Sequence, residues 1–301
     1  DGTARAHSWP IAAMSPTYIV RPLLILAFMI LATLVNLPHD ATTAMVAALA
    51  ATYLTTLGQF AAMVWRLQRH YVRGPMKIEL KRWLRVSVPI FLVDGFGFLL
   101  TNSDVVVVGL YLEPDDVAIY FAAAKTMALV HFVMFAVKAA AGPRFSTAMA
   151  ARDRHQLAEI AIESARWSFW PSLVIGCSAV LTGPLLLSLF GPAFTAGVPL
   201  MAVLLVGILA KAFVGPAETL LTMAGRQQLC VVLYAAALAA NVALNMTLVP
   251  LFGLTGAAAA TAGAMFLEAA ILHIAVRHTF GFTLLAIAGR SSNDKKEAIK
   301  P

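Results

Sequence analysis

The sequence predicts an all-α integral membrane protein, and three observations carry that prediction. Hydrophobic residues fill 60% of the 301 positions and charged residues only 12%, with a mean hydropathy of +0.81. Soluble domains carry charge at about a quarter of their positions. The apolar residues are gathered into eight continuous runs, each long enough for a helix of about 20 residues to cross a hydrocarbon core. Membrane-spanning strands would be shorter and alternating. Finally, when the loops between runs are placed alternately on two sides, 19 of the 22 Lys and Arg residues fall on one of them.

The runs lie at about 17–37, 43–65, 86–111, 117–140, 168–190, 197–221, 228–250 and 254–276. Arg5 and Arg21 stand at the start of the first run, and the loop at 38–42 holds no Lys or Arg. The second run ends in RLQRHYVRGPMKIELKRWLR at 66–85, which carries Arg66, Arg69, Arg73, Lys77, Lys81, Arg82 and Arg85. This basic loop is the widest break in the chain. It predicts three parts: a two-helix portion of an N-terminal lobe with its loop at 1–84, a six-helix lobe at 85–278, and a tail at 279–301. Repeated helix bundles joined by such a loop are a common transporter plan.

The loop at 112–116 is again without Lys or Arg, and Arg144, Arg152, Arg154 and Arg166 follow the fourth run. Within 151–166, Leu157, Ile160 and Ile162 set against Arg154, Glu159 and Glu163 fit either a helix lying on the membrane surface or a solvated connector. The loops at 191–196 and 251–253 lack basic residues, whereas Arg226, Arg277, Arg290, Lys295, Lys296 and Lys300 lie on the basic side. Short loops rich in Lys and Arg stay in the cytoplasm, so both ends of the chain are expected there. The tail carries SSNDKKEAIK, a polar stretch with the composition of a disordered segment. The opening Asp1-Gly2-Thr3 has no Met, charged n-region or cleavage site, and reads as the interior of a longer protein.

The net charge of +7 is thereby explained without nucleic acid: the basic residues are juxtamembrane and face anionic lipids. Cys177 and Cys230 both sit inside apolar runs, which argues against a disulfide framework. Pro89, Gly95, Gly97, Gly176, Gly183, Pro184, Gly207, Gly215 and Pro216 punctuate the runs. Such residues let helices approach closely or bend beside a cavity.

Ionisable residues within spans are costly and face a bundle interior or a wet cavity. Here they are Asp94, Asp104, Lys125, His131, Lys138, Lys211, Glu218, Glu268 and His273. Lys211 is mid-run, where snorkelling is hardest, and Glu218 is seven residues on, two turns along the same face of an uninterrupted helix. The pair reads either as a cationic contact for an anionic ligand or as a structural ion pair. Lys125 is also deep, while Lys138 is near enough to one end to snorkel. Lys211, Lys125 and Lys138 are therefore the candidate substrate contacts; Asp94, Asp104, Glu218 and Glu268 are the candidates for coupling to an ion. Asp94, Gly97, Thr101 and Asp104 form a polar stripe, with Asp104 in a half that is expected to be partly wet. Asn241 and Asn245, one turn apart, read as interhelical hydrogen-bonding partners, and His131 and His273, unpaired by spacing, as packing residues.

No G-x-x-x-x-G-K-[ST] phosphate loop is present, no Cys/His group has metal-ligand spacing, and no G-x-S-x-G elbow occurs. Catalytic residues, metal and cofactor are all expected to be absent.

Four stretches point to a family. NSDVVVVGLYLEPDDVAIYFAAAK (102–125), GPRFS (142–146), LFGPAFTAG (189–197) and GRQQ with NVALNMTLVPLFGLTGAAAATA (225–228 and 241–262) resemble the C-terminal half of a Wzx-type polysaccharide flippase of the multidrug/oligosaccharidyl-lipid/polysaccharide exporter superfamily. The resemblance covers about two-thirds of the chain and implies two six-helix lobes in alternating access, of which this sequence would supply helices five to twelve. It implies a transporter, not an enzyme, that moves an undecaprenyl-pyrophosphate-linked oligosaccharide across the bacterial inner membrane for lipopolysaccharide or exopolysaccharide synthesis. Its partners would be that lipid-linked oligosaccharide and polysaccharide polymerase machinery. Buried Lys residues suit such a substrate, because a pyrophosphate beside them in a low-dielectric cavity is held far more strongly than in water. A multidrug exporter of the same superfamily is the alternative. A membrane-embedded glycosyltransferase or polysaccharide ligase fits less well, since it would need a sizeable outside loop bearing Arg, His or carboxylates.

Overall fold

The computed structural model describes residues 3–4, 9–38, 40–70 and 79–286, and among them every regular element is helical. A chain in lipid must satisfy each backbone N–H and C=O within itself, which a helix does locally. The chain divides into two units, residues 1–78 and 79–301.

In the first unit, α1 (Pro10–Ser15), a π-helical turn (Pro16–Val20) and α2 (Arg21–Leu34) follow one another directly. Proline at the start of each piece removes a backbone donor, and the hydrogen-bond pattern changes there. Asn36, at φ 57°, turns the chain, and Asp40 then accepts a 2.8 Å hydrogen bond from the Thr43 N–H at the start of α3 (Ala41–His70). That backbone N–H holds the Asp40 carboxyl below its usual range. Gln59 donates to the Ala12 carbonyl at 3.2 Å and Arg66 stacks over Trp9, which ties α3 to the start of the unit.

The second unit runs through α4 (Leu80–Tyr111), α5 (Pro114–Ala150), α6 (Arg154–Leu181), α7 (Gly183–Ser188), a 3-10 turn (Pro192–Gly197), α8 (Val198–Val214), α9 (Ala217–Met223) and α10 (Gln227–Phe280). α10 is not one rod. Gly253, at φ 59° and ψ −136°, breaks it, and Gly256 then comes against the Leu248 carbonyl while Gly263 faces Leu244. These pairings make α10 a hairpin of two limbs, in agreement with the two runs expected at 228–250 and 254–276. Six helices among the described residues are long and apolar enough to cross a membrane when α10 is taken as one. α6 is not among the six, because its N-terminal half carries the charged residues of 154–166.

Three local expectations change. The surface helix or connector expected at 151–166 is, from Arg154 on, the first half of α6, continuous with the fifth run and packed inward through Leu157, Ile160, Ala161 and Ala165. The sixth run is not continuous: α8 stops at Val214, Gly215 takes φ 67° and ψ −152°, and α9 starts after Pro216. An added Cβ on Gly215 would lie 2.6 Å from Ala165 Cα, so this turn is open to glycine alone. After α10, residues 281–286 fold back onto the helices: Leu284 is buried, its carbonyl lies 3.0 Å from His273 Nδ1, and Ala286 donates its N–H to the Phe213 carbonyl at 3.0 Å. The SSNDKKEAIK stretch lies outside the described residues.

The core of this unit is in two clusters. One holds Val108, Tyr120, Met127, Val130, Leu204 and Ile208. The other holds Ala141, Phe145, Val214, Leu220, Tyr234 and Leu272. Between Val130 and Ala141 on α5, between Ile208 and Val214 on α8, and ahead of Ala269 on α10, the apolar packing is interrupted. The charged side chains of Lys138, Lys211, Glu218 and Glu268 lie there.

Candidate functional site

Small residues bring the charges together. Gly207 on α8 meets Ala262 on the second limb of α10 so closely that a Cβ there would be 2.7 Å from Ala262 Cα. Gly207 owes this contact to the run GAAAATA at 256–262, which has no bulk to hold the helices apart. One turn on from Gly207 is Lys211, and Glu268 stands six residues past Ala262. Lys211 Nζ reaches Glu268 Oε1 at 2.8 Å. The contact is an ion pair by distance but is not aligned as a hydrogen bond, and it leaves Glu268 Oε1 without a donor.

The second pair depends on the break at Gly215. Glu218 lies in the first turn of α9, where its Oε2 receives Lys138 from α5 at 2.5 Å and the Tyr234 hydroxyl from α10 at 2.7 Å. The same-face pairing of Lys211 with Glu218 is thus overturned: a seven-residue spacing places two side chains together only while the helix is uninterrupted. Lys138 does not snorkel away but is fixed to a carboxylate.

Both pairs line one cavity of about 150 Å³, together with His131, Phe135, Ser168 and Leu272. Each pair is arranged alike. The Lys side chains are 39% and 25% exposed at Lys138 and Lys211, and their partners Glu218 and Glu268 only 19% and 2%. In each pair the carboxylate is the more enclosed partner.

The remaining candidates lie elsewhere. Lys125 is exposed; its ammonium donates to Asn102 Oδ1 at 3.1 Å and sits over the Phe121 ring. Asp94 is exposed on α4 and does not line the cavity, but its charge acts on Lys138. Asp104 is not wet but 3% exposed: its carboxylate accepts from the Tyr120 hydroxyl at 2.7 Å and from Thr261 at 3.3 Å. The expected stripe on α4 is divided, with Gly97 and Asp104 turned toward α10 and Asp94 and Thr101 exposed. Asn241 does bond between helices, accepting from Ser103 at 3.0 Å, but Asn245 donates back to the Asn241 carbonyl of its own helix.

The family model described as MatE matches residues 89–247, more than half of the chain. The chain belongs to the MatE family. A second model, described as Polysaccharide biosynthesis protein, matches residues 13–149, and both families are members of the multidrug/oligosaccharidyl-lipid/polysaccharide exporter superfamily that the motifs at 102–262 resemble. No curated protein and no solved structure matches the chain. As a MatE-family member it is a flippase or exporter, a transporter rather than an enzyme by family. The MatE match includes Lys125, His131, Lys138, Lys211, Glu218 and Tyr234, and stops short of Glu268.

Two participants were not read from sequence. Tyr234 lies in the apolar stretch CVVLYAAAL, and a lone phenol in such a run is the signal that a polar partner exists. His131 reads as a packing residue because, apart from Lys138 two turns along its own helix, most of the groups around it come from other helices.

Proposed function

We propose that this MatE-family protein flips an undecaprenyl-pyrophosphate-linked oligosaccharide from the cytoplasmic to the outer leaflet of a bacterial inner membrane, with both chain ends in the cytoplasm. One observation carries the reading: Lys138 and Lys211 line a common cavity with their partners Glu218 and Glu268, and in each pair the lysine is the more exposed. Such a wall is neutral when empty and can turn two cations toward a pyrophosphate when the ligand arrives. Charge-assisted hydrogen bonds to the phosphate offset the cost of leaving Glu218 and Glu268 unpaired. Lys125, exposed on the same helix as Lys138, supplies a further cation for the sugar-phosphate portion.

The test is complementation of surface polysaccharide in cells deleted for their own flippase. Lys211→Met combined with Glu268→Gln removes the pair without stranding a charge, so the protein should accumulate normally yet restore less than a tenth of the polysaccharide. Normal polysaccharide from the double variant would refute the substrate contact.

The longer match to the MatE model, together with the aromatic side chains of Phe135 and Tyr234 beside Glu218 and Glu268, favours a second reading, export of a cationic drug. Under that reading the carboxylates are the contacts, and Glu268→Gln alone abolishes efflux of ethidium while polysaccharide is unaffected.

A further inference from the structure

Two cavities away from the ion-paired site share their walls. The first, of about 610 Å³, is an apolar groove between α6, α8 and the second limb of α10. Alanine at 210, 269 and 270 leaves room there between the larger side chains of Phe169, Val206 and Phe266. The groove follows residues 206–214 and 266–274, about 12 Å of helix. The second cavity, of about 830 Å³, is charged: Arg154, His155, Glu159, Glu163 and Arg166 of α6 line it with Phe280 and Phe282. The two cavities meet at Arg166 and Phe169, which are neighbours one turn apart on α6, and at Phe282 and Leu285 in the fold-back. Arg166 Nε donates to the Ala286 carbonyl at 3.2 Å, which holds the guanidinium at the join. Trp167 and Trp170, beside it, are exposed. Tryptophan collects at the level where hydrocarbon meets water, so the groove lies in the hydrocarbon and the charged cavity among the headgroups.

The charges define the headgroup. Arg154 and Arg166 are balanced by Glu159 and Glu163, and His155 stands 3.9 Å from Glu159. Glu163 also pairs with Arg144 at 2.8 Å, but both groups are about half exposed, and such a pair is weak enough to admit a competing cation. An anionic headgroup would meet the two carboxylates as well as the two guanidinium groups. A headgroup that carries both a phosphate and an ammonium finds a partner for each: guanidinium binds phosphate, and carboxylate accepts charge-assisted hydrogen bonds from ammonium N–H. A quaternary ammonium has no N–H to donate and is held by aromatic rings that enclose it. Phe280 and Phe282 instead stack on each other, with centroids 5.8 Å apart and planes at 30°.

We propose that this join binds one molecule of phosphatidylethanolamine, with its phosphate on Arg166, its ammonium on Glu163 and Glu159, and one acyl chain in the apolar groove. Glu159 and Glu163 are a turn apart, and Arg166 follows within another turn, so one headgroup reaches all three. The acyl chain lies against Phe213, Val214 and Leu285, which stand just before the break at Gly215 and in the fold-back. The lipid therefore braces the elbow from the side facing the bilayer. The site is independent of what the ion-paired cavity carries.

The test is native mass spectrometry of the full chain released from nanodiscs that hold equal amounts of phosphatidylethanolamine, phosphatidylglycerol and phosphatidylcholine with identical acyl chains. The wild type should retain one ethanolamine lipid, at least about fivefold in preference to either other lipid. Glu159→Gln combined with Glu163→Gln, both at exposed positions, should erase that preference. Ala270→Phe, also at an exposed position, fills the groove and should lower retention of the ethanolamine lipid at least about fivefold. Equal retention of the three lipids by the wild type marks ordinary annular contact and overturns the proposal. A preference for the glycerol or the choline lipid overturns it too, as does an ethanolamine preference that survives the paired Gln substitutions. Should the variants fail to fold, the wild-type preference is compared with that of a chain ending at residue 288: retention seen only in the shortened chain assigns the pocket to the tail and overturns the proposal, and equal retention by both supports it.

Discussion

The pairing of Lys211 with Glu268 has a thermodynamic signature that separates it from the pairing an unbroken helix would give. At 2.8 Å and an effective dielectric constant of about 20, the attraction is about 6 kcal/mol before desolvation is subtracted. Lys211→Met removes the cation and strands Glu268, which is 2% exposed. Breaking a buried pair from one side costs about 3–5 kcal/mol. In a unit of this size each kcal/mol moves the midpoint by about 2–4 °C, so a fall of roughly 6–20 °C is expected. Glu268→Gln should cost less, about 1–3 kcal/mol, because Lys211 is 25% exposed and can turn toward the cavity. Replacing both together should cost less than the two single losses summed, by a coupling of about 2–3 kcal/mol. The assay is thermal unfolding followed by tryptophan fluorescence in lipid nanodiscs, run in parallel on the Lys211→Met, Glu218→Gln cycle, where the coupling should be clearly smaller, because Glu218 lies in the same cavity but is paired with Lys138. Coupling to Glu218 as large as that to Glu268, or a Lys211→Met protein as heat-stable as wild type, would show the ion-pair assignment to be wrong.

Other perturbations test the frame around the site. Gly215→Ala places a Cβ against Ala165 at a φ of 67° and should lower stability by about 1–3 kcal/mol from backbone strain alone, read as a shift in the same unfolding midpoint. Gly207→Val should wedge α8 from α10 at Ala262, cost about 1–3 kcal/mol and weaken the Lys211–Glu268 coupling measured in the cycle above. Tyr120→Phe removes the 2.7 Å donor to Asp104 and should cost about 1–3 kcal/mol, largely repaired by adding Asp104→Leu. For topology, single cysteines at His39, Asp115 and Thr195 should react from outside intact cells with an impermeant thiol reagent, and those at Gln68 and Lys296 should not; the background must lack Cys177, which is exposed.

The spans were legible because crossing a membrane is a matter of length and hydropathy, and the runs at 86–111 and 117–140 reappear as α4 and α5. The turn at 251–253 was legible too: Leu-Phe-Gly divides two apolar runs, and Gly253 performs the reversal. What spacing could not show is which residues meet across helices. Lys211 and Glu218 lie on one face only if Gly215 keeps helical angles, and nothing local in the sequence says that it instead turns against Ala165. The charges of 154–166 suggested a surface element because composition is silent on continuity; the helix simply begins outside the apolar run. Asp104 looked wet beside Asn102 and Ser103, but its partners Tyr120 and Thr261 are brought to it by tertiary packing. His131 reads as a packing residue for the same reason, since apart from Lys125 and Lys138 on its own helix the charges near it arrive from other helices.

The short return of the chain after α10 has a consequence for the site itself. Ending α8 at Val214 frees carbonyls that a continuing helix would have used, and the Phe213 carbonyl finds its donor in the N–H of Ala286. Arg166 reaches the Ala286 carbonyl from α6 at 3.2 Å. The fold-back thus acts as a latch on the elbow that aims Glu218 at Lys138. Cutting the chain before residue 286 would leave that carbonyl bare among apolar side chains, where an unsatisfied group costs several kcal/mol, and the elbow would be free to straighten. A carboxyl-terminal reporter or affinity tag therefore belongs well downstream of Ala286, or it will report on a transporter whose grip has already been loosened.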